Sequence, residues 1–585
     1  MTAVSINPSD FFMTPVEKDR ASLSFCDTNL AALQYWLAQL PSIQLGDSSK
    51  NLLHAVIEIS ELECEDSVRF DFIQSLHLSV EQALSLLEKH FLDGLYSVTN
   101  YNEHSVELAQ QFRCYLARIY LNIALNVDQQ LNENKFSLFA FRQKKNLHNI
   151  RTLSTYYALE QISLLKYQQM VLYKNALIGQ WRIGHRLFNL AEQNDFYQED
   201  INHLQGTAHP LKNIDQVYSQ ITLMDILNTH QIRPIEIHAL YQCTFQWVKL
   251  TRISRHQTNL TRYVIQTDND FPPVFNNIKP KKDENIFFVE TQSLLEHINL
   301  ANLPNNKHIS STERHYLSPS LIFHVQNLLN NMPERRYERY DFTSNIQLVF
   351  GLQTAHFYLS HATPFNQTLQ LDSAIDVQQS TSKFLSTWNS EVITTQHNYQ
   401  TLDQEAKQIY SCTIMDISIN GYRIRWSNMP PKQLRAGEFI LVQESEKSPW
   451  RGGVIRWLKQ SSDRYFEFGI EILSQEMTPC SVQLSAERNS LLYHPALILK
   501  NEVLNTAHLS IIVPGSQTFK SQQGISLRFG KKQIKIYLTE CKLVSQSFTQ
   551  LDFELLNGDE QILLDQFIQE HAETMKKQDL WESLK

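Results

Sequence analysis

The sequence predicts a multidomain α + β protein: a helical N-terminal region, then a six-stranded antiparallel β-barrel, then a second β unit at the C-terminus. Three observations lead there. At 585 residues the chain exceeds the size at which a single hydrophobic core stops growing, so several domains are expected. Its glycines divide unevenly, with five at 46, 94, 179, 184 and 206 and the other ten beyond residue 330, where they punctuate turns. Apolar residues follow helical spacing before residue 250 and fall into short runs bounded by Gly, Pro, Asn and Ser after residue 340.

Composition bounds the function. Hydrophobic residues at 42% and charged residues at 19% mark a globular protein rather than a disordered one. A net charge of -9 argues against nucleic acid or anionic membrane binding by the whole surface, so any anion site must be local. The first twenty residues lack a basic segment followed by an apolar core, and no run of 18 or more apolar residues occurs, so a cytoplasmic protein without membrane insertion is expected. The cysteines at 26, 64, 114, 243, 412, 480 and 541 are far apart with no CxxC, which fits isolated thiols in a reducing compartment and offers no zinc site.

The elements follow in order. Helices are expected at about 28–40, 48–63, from Ser79 to Gly94, 105–126, 146–178, 214–229 and 234–250, making residues 1–252 an all-helical domain. Ser79 and Gln82 have capping-box spacing, and 146–178 holds neither Gly nor Pro. Trp181, Trp247 and the tyrosines of "TYYALEQ" read as core aromatics, and His54 with Glu58 as surface rather than metal ligands. Residues 253–317, with strand-like "RYVIQT" and "NIFFVE", form a small mixed α/β segment. Residues 318–333 form a linking helix, capped by Ser318 or Ser320 and stopped before Pro333. Six strands, "NIQLVFGL", "SCTIMDIS", "GYRIRW", "EFILVQE", "GGVIRWL" and "FEFGIEIL", build a barrel over 334–475 with an insertion near 353–408. "PALIL", "LSIIVP", "GISLRF", "QIKIYLT" and "LDFELL" make the second β unit over 476–585, closed by a terminal helix near 558–577.

Two stretches carry chemistry. "NMPERRYERYDF" packs three arginines between three acids and three aromatic residues. Alone it reads as a solvated loop in which Arg335, Arg336 and Arg339 pair with Glu334, Glu338 and Asp341. "MDISINGYRIRW" sets Asp416, Ser418 and Gly421 on a strand-turn-strand. Together, Arg335-x-x-x-Arg339 and Asp416-x-Ser418-x-x-Gly421, followed by the barrel strands in order, resemble the PilZ family of cyclic di-GMP receptors. That resemblance covers about 335–475 and implies a barrel with the arginines on the loop leading in and the aspartate motif on its face. The spacing departs from the family: 77 residues separate Arg339 from Asp416, hence the insertion.

The resemblance implies that Arg335, Arg336, Arg339, Asp416, Ser418 and Gly421 bind cyclic di-GMP, with no cofactor. A guanidinium is a planar fork that meets phosphate oxygens or guanine O6 and N7 in bidentate fashion, or stacks on a base. The Asp416 carboxylate accepts from guanine N1 and N2, the Ser418 hydroxyl bonds a base edge or phosphate, and Gly421 allows a positive φ or close backbone approach. The family acts on motility, surface attachment or polysaccharide output, so a protein partner is expected through the helical region. The rival readings are a nucleotide-free PilZ-like adaptor acting as a scaffold, and a single-stranded nucleic acid binder, which the net charge disfavours. With no nucleophile elbow, P-loop or Rossmann glycines, the chain is not read as an enzyme.

Overall fold

The computed structural model describes residues 11–40, 45–92, 102–133, 141–205, 209–276, 285–301, 308–331, 339–370, 402, 406–445, 448–461, 465–484, 492–503, 506–515 and 518–583. These divide into two compact units, one of 1–229, 233–317 and 324–333, the other of 230–232, 318–323 and 334–585.

The first unit opens with α1 (Leu30–Gln39), α2 (Leu45–Glu61), α3 (Asp66–Leu92), α4 (Glu103–Glu133) and α5 (Phe141–Val171). It continues with α6 (Gln180–Gln193), α7 (Asn202–Gln205), α8 (Ile214–Ile226) and α9 (Pro234–Trp247). Side-chain caps start several of them, as where Asn29 Oδ1 accepts from Ala32 N at 2.9 Å and Asn213 Oδ1 from Gln216 N at 3.0 Å. α5 is the axis of the unit. Nearly every residue from Leu147 to Val171 is buried, so the expected stripe is in fact a helix covered on all sides. That is compatible with its polar sequence because several of the charged and polar side chains are answered from neighbouring helices. Arg151 pairs with Asp128 at 2.7 Å, Lys166 with Asp225 at 2.6 Å, and Ser163 donates to Gln220 at 2.9 Å. Buried Arg113 of α4 meets Glu81 at 2.7 Å and Glu88 at 3.0 Å. Trp181, Trp247, Tyr156 and Tyr157 lie in the core, and His54 is exposed.

Several helix boundaries differ from those expected, with α4 running on to Glu133 and α5 starting at Phe141, and two of the differences have a local cause. The Ser79–Gln82 pattern lies in the middle of α3, because the apolar stripe runs back through Phe70, Phe72, Ile73 and Leu76 with no breaker before Asp66. The long helix ends at Val171 rather than 178. Tyr173 takes φ 54 and Lys174 N donates to Gln169 O at 2.8 Å, a left-handed cap made without the glycine that normally announces one. α6 then begins after Gly179, whose φ is 86, with its amides capped from far along the chain. Asp270 accepts from Gly179 N at 2.5 Å and from Arg182 N at 2.9 Å.

Asp270 belongs to the small mixed segment. Its strands β1 (Arg252–Ser254), β2 (Thr261–Gln266), β3 (Val274–Phe275) and β4 (Ile286–Glu290) pair antiparallel in the order β1-β4-β2-β3. α10 (Gln292–Ala301) and α11 (Ser311–Tyr316) follow, then the linking helix α12 (Pro319–Asn330), with Ser318 Oγ accepting from Leu321 N at 3.2 Å.

The second unit holds two closed six-stranded barrels. The first is built from β5 (Tyr340–Phe350), β6 (Tyr410–Ser418), β7 (Gly421–Trp426), β8 (Phe439–Gln443), β9 (Arg451–Gln460) and β10 (Phe466–Ser474), in the order β10-β7-β6-β5-β8-β9. The second comprises β11 (Glu476–Leu484), β12 (His494–Val503), β13 (Thr506–Pro514), β14 (Gln523–Phe529), β15 (Lys532–Val544) and β16 (Phe548–Leu555), in the order β11-β12-β13-β16-β15-β14. β11 is the strand not anticipated, since Pro479 breaks its pattern. It is accommodated because pairing with β14 starts only at Ser481, so Pro479 faces a ladder on one side alone. α15 (Gln561–Ser583) closes this barrel with buried Leu564, and Phe567 stacks on Phe529 at 4.4 Å.

Between β5 and β6 stand α13 (Leu352–Leu359) and α14 (Phe365–Thr368), the described start of the expected insertion. They pack between the barrels. Leu352, Ala355 and Leu359 share one core with Phe439 and Val454 of the first barrel and with Leu497, Ile512 and Phe548 of the second. Buried His356 donates to Cys480 O at 3.0 Å, and burial pushes its imidazole down to about 4, so it stays neutral. Residues 371–401 and 403–405 of the insertion lie outside the described residues.

Replacing Arg113 by Met removes a buried cation that faces Glu81 and Glu88 and is expected to destabilise the first unit by about 3 kcal/mol. Urea unfolding followed by far-ultraviolet dichroism measures this, and a loss below ~1 kcal/mol would contradict it. Burial raises Asp215 to about 6. The folded protein therefore holds this proton to a higher pH than the unfolded chain, and stability falls as pH rises from about 4 to about 6. Asp215→Asn is expected to raise the unfolding free energy at pH 7.5 by on the order of 1 to 2 kcal/mol, and so the midpoint, and to change nothing near pH 4. Equal midpoints at pH 7.5 would refute this.

Candidate functional site

The site forms on the outer face of the first barrel, where β6 and β7 meet. Along β6, Cys412 and Ile414 are buried toward the barrel interior, and simple alternation would send Asp416 the same way. A β-bulge prevents it. Ile414 pairs with Ile424 and Asp416 with Arg423, so two steps on β6 match one on β7 and Met415 is the extra residue. Asp416 is thereby turned to the outer row, opposite Arg423 on one side and Asp341 on the other.

Arg339, which precedes β5, places Nη1 3.2 Å from Asp416 Oδ1. The partner of this arginine is Asp416, 77 residues away, not Asp341. Arg335 and Arg336 lie outside the described residues. Ser418 and Gly421 pair across the two-residue turn Ile419–Asn420, with Ser418 Oγ 3.4 Å from Gly421 O. Of the two reasons for glycine at 421, close approach is the one that holds. A Cβ there would sit 2.2 Å from Ile470 O of β10, and the residue is not among those with positive φ.

Three further residues join the row: Arg423 and Arg425, which lie in the second quoted stretch but outside its Asp-x-Ser-x-x-Gly positions, and Glu467, which lies in neither stretch. Arg423 Nη1 reaches Asp416 Oδ2 at 3.3 Å, and its Nη2 reaches Glu467 Oε2 at 2.6 Å. The hydrogen bond to Glu467 raises the Arg423 guanidinium above its ordinary value. Arg425 lies 3.9 Å from Glu467 Oε1, its guanidinium over the Tyr465 ring at 4.3 Å. Beside Arg423 in register is Gly469, and beside that Trp457, whose indole occupies the space a side chain at 469 would need. The signal that could have found these residues is strand register: once β7 and β10 are aligned, Arg423, Arg425 and Glu467 fall beside Asp416. Arg456 of β9 is paired with Glu471 as a barrel-surface residue. Among the described residues no group of three or more His, Cys, Asp or Glu side chains is placed to hold a metal ion, and no helix is long and apolar enough to cross a membrane.

Chemically, the row alternates guanidinium and carboxylate from Arg339 to Arg425. The carboxylates of Asp416 and Glu467 are 9% and 11% exposed, whereas the three arginine side chains are 44%, 38% and 35% exposed. Oriented guanidiniums therefore face solvent above buried acceptors, an arrangement suited to an anion with planar, bidentate edges.

Comparison with known proteins agrees with this domain series. Residues 31–258 match the family model described as the N-terminal domain of the cyclic-di-GMP receptor FimW, and 480–556 match the FimW C-terminal beta-barrel domain. Residues 262–404 and 388–479 match the FimW middle PilZ domain, in two pieces that overlap at 388–404 inside the expected insertion. The chain is 21% identical over 574 residues to the cyclic-di-GMP receptor FimW of Pseudomonas aeruginosa, covering 92% of each protein. No solved structure matches it significantly.

Gly421→Ala is expected to force β7 from β10 and destabilise the barrel by about 1 to 3 kcal/mol. Gly524→Ala, where a Cβ meets nothing within 4 Å, is the control. Thermal unfolding of both variants distinguishes them, and equal midpoints would show that the close approach is not constraining.

Proposed function

Since the chain belongs to the FimW family, whose middle domain is a PilZ domain, we propose that it is a cyclic di-GMP receptor binding the nucleotide on the outer face of the first barrel. The observation that carries the reading is the Arg339–Asp416 contact of 3.2 Å, which unites the two motifs across 77 residues. In this reading Arg339, with Arg335 and Arg336 from the same stretch, grips phosphates and guanine edges through guanidinium forks. Asp416 retains lone pairs to accept from guanine N1 and N2, and Ser418 supplies a hydroxyl beside it. Gly421 contributes by keeping the turn close to β10. The half-buried Trp457 offers an aromatic face on the same row, on which a base can stack.

A receptor with no catalytic assignment acts by changing what it binds. We place that output in the cytoplasm, with a protein partner engaged through the helical region and controlling motility, surface attachment or exopolysaccharide output. What supports this is the domain series itself, in which a nucleotide-binding barrel accompanies a large helical unit with its own core.

Titration calorimetry of the full chain with cyclic di-GMP, and with cyclic GMP-AMP for comparison, tests the reading. Arg339→Ala is expected to weaken binding by roughly ten- to a hundredfold, the worth of one good bidentate contact. It should leave thermal unfolding nearly unchanged, since an exposed ion pair contributes little. Undiminished affinity in that variant, or a wild-type protein that binds no cyclic dinucleotide, would defeat the proposal.

A further inference from the structure

We propose that Glu467 is a positioning residue of this site, holding Arg423 as a further guanidinium for the nucleotide; the inference rests on the reading that the ligand lies over Asp416. Arg423 is gripped from two sides. Its Nε and Nη2 both reach Glu467 Oε2, at 3.1 and 2.6 Å, while Nη1 reaches Asp416 Oδ2 at 3.3 Å. A guanidinium held by carboxylates at both ends has lost the rotations about its terminal bonds, so its plane is set before a ligand arrives. A free arginine would have to give up that freedom on binding, at a cost in affinity.

The geometry also decides between two opposite effects of a carboxylate near an anion site. Glu467 repels a phosphate but orients the group that attracts it. Its side chain is 11% exposed beneath an arginine that is 38% exposed, so the ligand meets the cation first. Glu467 is further offset by Arg425, 3.9 Å from its other oxygen. Three of the five N–H donors of Arg423 are committed to the carboxylates, which leaves two for a ligand. The orienting effect wins.

Calorimetric titration of the full chain with cyclic di-GMP, comparing wild type, Glu467→Gln, Arg423→Gln and the double variant, tests this. Glu467→Gln is expected to weaken binding roughly tenfold, and Arg423→Gln by at least as much. Because Glu467 works through Arg423, the double variant should bind no more weakly than Arg423→Gln alone. Unchanged or tighter binding by Glu467→Gln overturns the inference, and so do additive losses, which would make Glu467 a ligand contact in its own right. Unfolding midpoints monitor the fold. If Glu467→Gln proves unstable, Glu467→Asp keeps the charge, shortens its reach and is expected to bind with intermediate affinity; wild-type affinity there would also overturn the idea. Wild-type protein that binds no cyclic di-GMP would instead sink the reading beneath it.

Discussion

The candidate site depends on the Asp416 carboxylate being turned outward by one extra residue in β6. Without the bulge at Met415, the alternation set by Cys412 and Ile414 would bury that charge in an apolar barrel, unpaired and expensive. With it, each Asp416 oxygen meets a guanidinium, Arg339 on one side and Arg423 on the other. Pairs as exposed as these add little to stability. Their consequence is orientation: the arginines are held above acceptors they cannot easily leave.

Holding that row requires strands that do not drift, and the barrel supplies this through close backbone approach. Gly421 brings β7 against the Ile470 carbonyl, and Gly469 leaves room for the Trp457 ring. Behind the row, the barrel is anchored to its neighbour through the shared core in which Phe439 and Phe548 meet edge to face at 5.5 Å. α13 belongs to that core. The first residues of the insertion are thus part of what joins the barrels, and His356 is held neutral by burial within it.

Much of the fold was legible because periodicity survives in sequence. Apolar runs bounded by turn residues marked all six strands of the first barrel, and gaps without Gly or Pro marked the long helices. What escaped lacked a local signal. The left-handed cap at Tyr173 has no glycine, β11 carries a proline, and the true start of α3 lies upstream of a plausible Ser79 cap. The site divides likewise. Its two motifs were readable as patterns, but the bulge that aims Asp416 follows from pairing with β7, and Glu467 joins the row only because β10 is β7's other neighbour. Such residues are defined by register, which a single sequence does not display.

Charge sets what this row selects. Among the described residues, the three guanidiniums of Arg339, Arg423 and Arg425 face the carboxylates of Asp416 and Glu467, with Asp341 beside Asp416 in register, so the row carries no excess of positive charge, in a chain whose net charge is -9. A field so weak will not gather polyanions from a distance, which disfavours sequence-independent nucleic acid binding, where many phosphates must be neutralised. Affinity must instead come from donors placed in advance, each able to make two parallel bonds to a planar edge or a phosphate. Lysine, with a compact charge and no fork, would preserve the field and lose that selectivity. A small anion with two phosphates and two guanines is the kind of ligand for which orientation counts for more than charge.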